Sequence, residues 1–243
     1  MFEWILLLLL GLCIGSFLNV AILRIPQEQS ILFPASHCFT CKHPLKWYHN
    51  IPLFSWLLLR GKCAFCKTPI SVQYPFIELL TAMLYLLVYL SGETLVESLL
   101  LGTIFALLLA LSLIDFRYKA VPDLLSLPAL FLSFLVASPL ESLQNGLLFM
   151  GVFALLRMSL SSILKKEVMG EADIIIAGII GAILGMKLGF FAIYLSAVIA
   201  LFAFMAVRKR GYELPYIPFL SVALLLTWVC KAPILTLLEM IYE

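Results

Sequence analysis

A chain of 243 residues that is 63% hydrophobic, only 12% charged and has a mean hydropathy of +1.10 lies outside the range of soluble globular domains. Its formal net charge is only +2, and its basic residues are spread over several segments, so no phosphate-binding stripe is left for nucleic acid. It reads as an all-α polytopic protein of the lipid bilayer, in which about eight passes of about 20 residues each and one loop use nearly the whole length.

In chain order, apolar runs of spanning length fall at about 4–23, 76–92, 95–114, 124–140, 145–164, 174–187, 189–207 and 218–238. The runs are continuously apolar and Leu-rich, which favours helices over the alternating strands of a barrel. The division between the sixth and seventh runs falls near Gly185 to Gly189. Glu3 stands where a cleaved signal carries its basic region, and no small-x-small site precedes Arg24, so the first run is expected to stay as a permanent helix. This divides the chain into a first transmembrane helix at 1–23, a polar loop at 24–75 and a transmembrane core at 76–243.

Lys and Arg collect on the cytoplasmic side of membrane proteins. With the N-terminus outside, the inner face receives Arg24, Lys42, Lys46, Arg60, Lys62, Lys67, Arg117, Lys119, Arg157, Lys165, Lys166, Arg208, Lys209 and Arg210, leaving only Lys187 and Lys231 of the 16 outside. The long loop is then cytoplasmic, between the first and second spanning helices. It carries two C-x-x-C pairs, Cys38 with Cys41 and Cys63 with Cys66. Each pair can bend round one ion, and together they supply four thiolates for tetrahedral Zn2+, a structural staple for a loop without a core of its own. Disulfides are disfavoured on the reducing side of the membrane. His37, His43 and His49 are alternative ligands in the same loop, while Cys13 and Cys230 lie in apolar runs and are assigned no chemistry.

No histidine occurs in a spanning helix, and neither H-E-x-x-H nor G-x-S-x-G is present, so Ser–His, Cys–His and zinc-hydrolase chemistry are excluded. The chain has only three aspartates, Asp115, Asp123 and Asp173, at the inner ends of apolar runs. Two carboxyls sharing a site cannot both ionise cheaply, so together they offer an acid and a base able to activate water on a peptide carbonyl. Such a pair titrates as a unit. Capping of the following helix is the plainer reading of Asp123 and Asp173, and ion pairing to Arg117 or Lys119 that of Asp115.

The segments GSFLNVAILRIP (Gly15 to Pro26), WYHNIPLFSWLLLRG between the cysteine pairs, ISVQYPFIELLTA (Ile70 to Ala82), IDFRYKAVPD and Gly170-Glu171-Ala172-Asp173 resemble, in order and spacing, the type IV prepilin peptidase family. The resemblance covers nearly the whole chain. It implies a bifunctional enzyme of the bacterial inner membrane that cleaves the basic leader of type IV prepilins and type II secretion pseudopilin precursors at the cytoplasmic face. It further implies N-methylation of the new terminus with S-adenosylmethionine. Carried over by motif, the protease pair falls on Asp115 and Asp173, with Asp123 and Gly170 in support, and 24–75 becomes a methylation-associated region beside an aspartyl protease core.

This chain departs from the family pattern where Ala172 replaces a second Gly and Ile174-Ile175 replaces a hydrophobic-Lys pair. LPYIPFL has Ile217 where the family has Gly, and no role is read from it. A peptidase without methyltransferase activity is the alternative within the family, since no G-x-G-x-x-G loop marks a methyl-donor site. A proton-coupled transporter is the alternative from another class, and a non-catalytic scaffold a third. The run Gly178 to Gly185, GIIGAILG, has the small-residue pattern of close helix packing.

Overall fold

The computed structural model describes residues 2–136, 138–166, 169–207 and 214–242. Arg208, Lys209 and Arg210, assigned above to the inner face, lie outside the described residues. Two isolated antiparallel bridges aside, the described residues are helical or irregular, and the chain forms two compact units, 1–106 and 107–243.

In the first unit, α1 (Glu3–Arg24) packs on α3 (Gln73–Leu90). Two glycines make this approach close. A Cβ on Gly11 would stand 2.6 Å from the Cα of Ala82, and one on Gly15 2.7 Å from the Cα of Glu78, so backbone meets backbone. Leu7, Leu18, Ile22, Ile77 and Tyr85 are buried around this contact. Tyr89 donates to Glu3 Oε2 at 2.7 Å, and Asn19 Nδ2 bridges the two helices by donating to the Gly15 and Tyr74 carbonyls. The loop between them holds the one-turn α2 (Phe54–Leu58) and is tied at its start by Arg24, whose Nη1 donates to the carbonyls of Ser30 and Pro34.

Helix α4 (Leu95–Tyr118) carries the chain from the first unit into the second. The second unit continues with α5 (Asp123–Ser133), α6 (Pro139–Leu164), α7 (Glu171–Val207), α8 (Ile217–Val229) and α9 (Lys231–Tyr242). Helix α7 packs on α5, α6 and α8. Gly178 and Gly181 do what their spacing suggested, because a Cβ there would meet Met150 Cγ at 2.5 Å and the Asn145 carbonyl at 2.8 Å. Gly185 does something else. At φ 70° and ψ −172° it breaks α7 into two arms, a conformation open to glycine and strained for other residues.

Five described helices (α1, α3, α4, α6 and α7) are long and apolar enough to cross a bilayer, and a sixth crossing exists if the bent pair α8 and α9 is one span. The architecture is therefore a polytopic helical membrane protein. An unbroken helix of 37 residues would run about 55 Å, nearly twice a bilayer core, so the Gly185 break is where two shorter arms divide. The expected helix at 124–140 stops at Ser133, where Phe134 and Leu135 close three-residue turns onto Phe131 and Leu132, and Pro139 then opens α6 at its first turn. The expected helix at 218–238 bends by 82° at Cys230, whose φ and ψ of −96° and 23° are not helical.

Candidate active site and metal centre

The two C-x-x-C pairs fold into matching knuckles. In the first, Cys38 N–H donates to the His43 carbonyl and Lys42 N–H to the Cys38 carbonyl; in the second, Cys63 N–H donates to Thr68 and Lys67 N–H to Cys63. Both turns close through a lysine in the left-handed region, Lys42 at φ 58° and Lys67 at φ 61°, and each ends in a bridge to a proline, Pro44 or Pro69. The underlying repeat, Cys-x-x-Cys-Lys-x-Pro, stands twice in the sequence, so the lysine and proline carry as much of the knuckle as the cysteines do.

The four Sγ atoms lie within 4.8 Å of one another, with Cys38 and Cys66 3.7 Å apart. A tetrahedral zinc with Zn–S bonds of about 2.3 Å needs sulfur–sulfur edges of about 3.8 Å, so the four thiols fit that ion. No histidine belongs to this cluster among the described residues; His43 instead stacks on Phe65 at 3.7 Å, and His37 Nδ1 bonds the Ala35 carbonyl.

The cysteines do not hold their protons equally. Thr68, through its hydroxyl and its main chain, brings Cys66 down to about 6, and main-chain bonds from Cys41 and Thr40 lower Cys38. Cys41 is pulled down by the His43 main chain, yet desolvation and its bonds to the other three thiols push it up to about 11. A bound metal displaces such protons, so its hold weakens in acid.

One buried acid supports the loop from the membrane side. Glu78 Oε2 accepts the Leu53 N–H at 2.8 Å, and Leu53 sits at φ 58° and ψ −53°, a strained conformation for a branched residue. Glu78 is 6% exposed. The apolar run around it hid this acid from the sequence reading, although a carboxyl within a spanning helix is itself a signal.

In the second unit, Asp115 lies in the last turn of α4 and is 7% exposed, as its place after an apolar run suggested. Its Oδ2 accepts the Ile217 N–H at 3.2 Å, and the charge of Lys119 acts on it. Asp173 is the third residue of α7, and its Oδ2 accepts the Gly170 N–H at 3.1 Å. That bond is half of a capping box, so the capping reading of Asp173 holds alongside any other use. The charge of Asp115 reaches Asp173, 58 positions along the chain.

Asp123 differs. It is the exposed first residue of α5, whose cap is Pro122 with no side-chain acceptor, so it favours the helix dipole without capping. Among the described residues, a Cβ on Gly170 would meet only Asp173 Oδ2, at 3.5 Å. Helix α6 brings a cation to the start of α7, where Arg157 Nη1 donates to Glu171 Oε1 at 3.0 Å. Ile217 was also missed, because a backbone donor leaves no mark on residue type.

A family profile described as the bacterial peptidase A24 N-terminal domain matches residues 9–91, and one described as the type IV leader peptidase family matches 102–205. The chain belongs to the type IV leader peptidase family. It is 35% identical over 215 residues to a prepilin leader peptidase/N-methyltransferase of Myxococcus xanthus, covering 84% of this chain and 64% of that protein. A type 4 prepilin-like proteins leader peptide-processing enzyme of Escherichia coli is 33% identical, covering 87% of this chain and 88% of its own length. A prepilin leader peptidase/N-methyltransferase of Pseudomonas putida is 32% identical, with 88% and 86% covered. No solved structure matches. The first profile spans the cysteine loop and the second spans Asp115 and Asp173.

Proposed function

We propose that this leader peptidase removes the basic leader from type IV prepilins and type II secretion pseudopilin precursors with Asp115 and Asp173, at the cytoplasmic face of the inner membrane. The observation that carries the reading is the symmetry of the pair. Each carboxylate is pinned through Oδ2 by one main-chain N–H, Ile217 for Asp115 and Gly170 for Asp173, while the two charges interact. In each, Oδ1 lies outside that anchoring bond.

Two carboxyls in mutual range hold one proton between them. The ionised member takes a proton from water, whose oxygen attacks the scissile carbonyl carbon, while the protonated member gives its proton to the carbonyl oxygen. Collapse of the tetrahedral intermediate breaks the C–N bond, and the departing amine takes up a proton from the pair. Membrane depth suits the substrate, because a precursor whose apolar helix lies in the bilayer presents its basic leader junction at the cytoplasmic interface.

The four cysteines would hold zinc as a structural ion in the loop at 24–75, the region assigned to methylation of the new N-terminus with S-adenosylmethionine. Nothing among the described residues marks where that donor binds. Residues 76–243 would form the protease core, and eight passes result if α5, both arms of α7 and the α8–α9 pair each count as one.

The test is incubation of the full-length protein, in membranes, with a prepilin-like precursor, followed by mass analysis of the product's N-terminus. Leader removal with one added methyl group is the expected result. Removal without added mass reduces the reading to a peptidase, and no removal of any precursor with a basic leader and apolar helix returns the transporter.

A further inference from the structure

Asp115 acts as a cap for a helix to which it does not belong. At the start of α8, Pro218 has no N–H and the Phe219 and Leu220 amides donate to the Tyr216 carbonyl, which leaves Ile217 N–H to find an acceptor outside the helix, and Tyr216, the N-cap residue, makes no side-chain capping bond. Ile217 N–H donates instead across the unit to Asp115 Oδ2, so the start of α8 fixes the position of that carboxylate.

Ser196 on α7 donates its only hydroxyl proton to the Ile193 carbonyl at 2.7 Å. Its 2.8 Å bond to Tyr216 Oη therefore has the tyrosine as donor. Tyr216 and Ile217 are adjacent in the chain, so the side-chain bond to α7 and the main-chain bond to α4 hold the two ends of one peptide unit. Pro215 and Ile217 on either side are buried, Ile217 at 2% exposed, and Ser196 is fully buried. The charge of Asp173 also reaches Tyr216.

We infer that Tyr216 and Ser196 form a positioning lock for the aspartate pair, in which the Tyr216–Ser196 hydrogen bond holds the Ile217 amide on Asp115. This rests on the aspartyl reading above. It gives the LPYIPFL segment a role that does not depend on Gly at position 217: the donor is a backbone amide, which Ile supplies as well as Gly.

The experiment measures kcat and KM for precursor cleavage by the full-length wild type, Tyr216→Phe, Ser196→Ala, the double variant, and Tyr194→Phe, a tyrosine of α7 that is 70% exposed. Loss of one buried hydrogen bond that aligns a reacting group lowers kcat roughly tenfold. The lock predicts that fall for each single variant, with KM unchanged, no greater fall in the double variant, and wild-type rates for Tyr194→Phe. Rates are normalised to folded protein by thermal unfolding, and if Tyr216→Phe does not fold, Ser196→Ala carries the test. Wild-type kcat in Tyr216→Phe or Ser196→Ala, a rise in KM alone, or defects that multiply in the double variant each overturn the lock. An inactive wild type, by contrast, removes the aspartyl reading itself.

Discussion

Replacing Glu78 by Ala should loosen the middle of the cysteine loop without touching any cysteine. The carboxylate accepts the Leu53 N–H at 2.8 Å in a site where Glu78 is 6% exposed, and Leu53 is held at φ 58° and ψ −53°. Truncation leaves the amide without its partner, at a cost of about 1–3 kcal/mol, and lets Leu53 relax from a conformation that itself costs about 1–3 kcal/mol. Taking about 2 kcal/mol as the loss in local opening free energy, amide exchange in this segment should accelerate roughly 30-fold. Glu78→Gln keeps a carbonyl acceptor and loses the charge, which removes about 1 kcal/mol and predicts roughly fivefold acceleration. The assay is hydrogen-exchange mass spectrometry on a peptide covering residues 50–58 of the full-length protein. Exchange in Glu78→Ala at the wild-type rate, or equal acceleration by Ala and Gln, would refute the reasoning.

Two further outcomes follow from the packing and the metal centre. Gly181→Val places its Cβ 2.8 Å from the Asn145 carbonyl and 2.6 Å from the Phe149 ring, so α6 and α7 must part; the expected loss is about 1–3 kcal/mol, read as a lower unfolding temperature in detergent. Gly151→Ala has nothing within 4 Å of the new Cβ and should be neutral or slightly stabilising, and the order of these two variants reversing would contradict the helix contact. Elemental analysis of purified protein should find one zinc per chain, and Cys63→Ser, at a residue only 3% exposed, should lose it. Folded wild type that is free of zinc after metal-replete expression would contradict the metal centre.

What the sequence disclosed follows from scarcity. In a chain this apolar, three aspartates and four paired cysteines stand out, and the four thiols come together as their spacing implied, whereas the choice of Asp115 with Asp173 came from the family resemblance. Residue type says less where backbone decides. Pro139 opens a helix that begins six residues before the expected 145, because Glu141 to Gln144 fall between the expected runs although Glu141 and Gln144 are good helix formers. Gly185 stands both in the packing stripe and at the expected division of the sixth and seventh runs, and its φ of 70° places the break there. The amides of Ile217 and Gly170 hold the acids with groups every residue possesses, and Glu78 was absorbed into the hydropathy of its neighbours.

The central claim is that one pair of acids performs the cleavage. The most direct measurement compares precursor processing by wild type, Asp115→Asn and Asp173→Asn, each near-isosteric and each keeping an acceptor for its backbone amide. The account predicts leader removal by the wild type and none by either variant, with both variants inserted and folded as the wild type is. Full leader removal by either variant would contradict it.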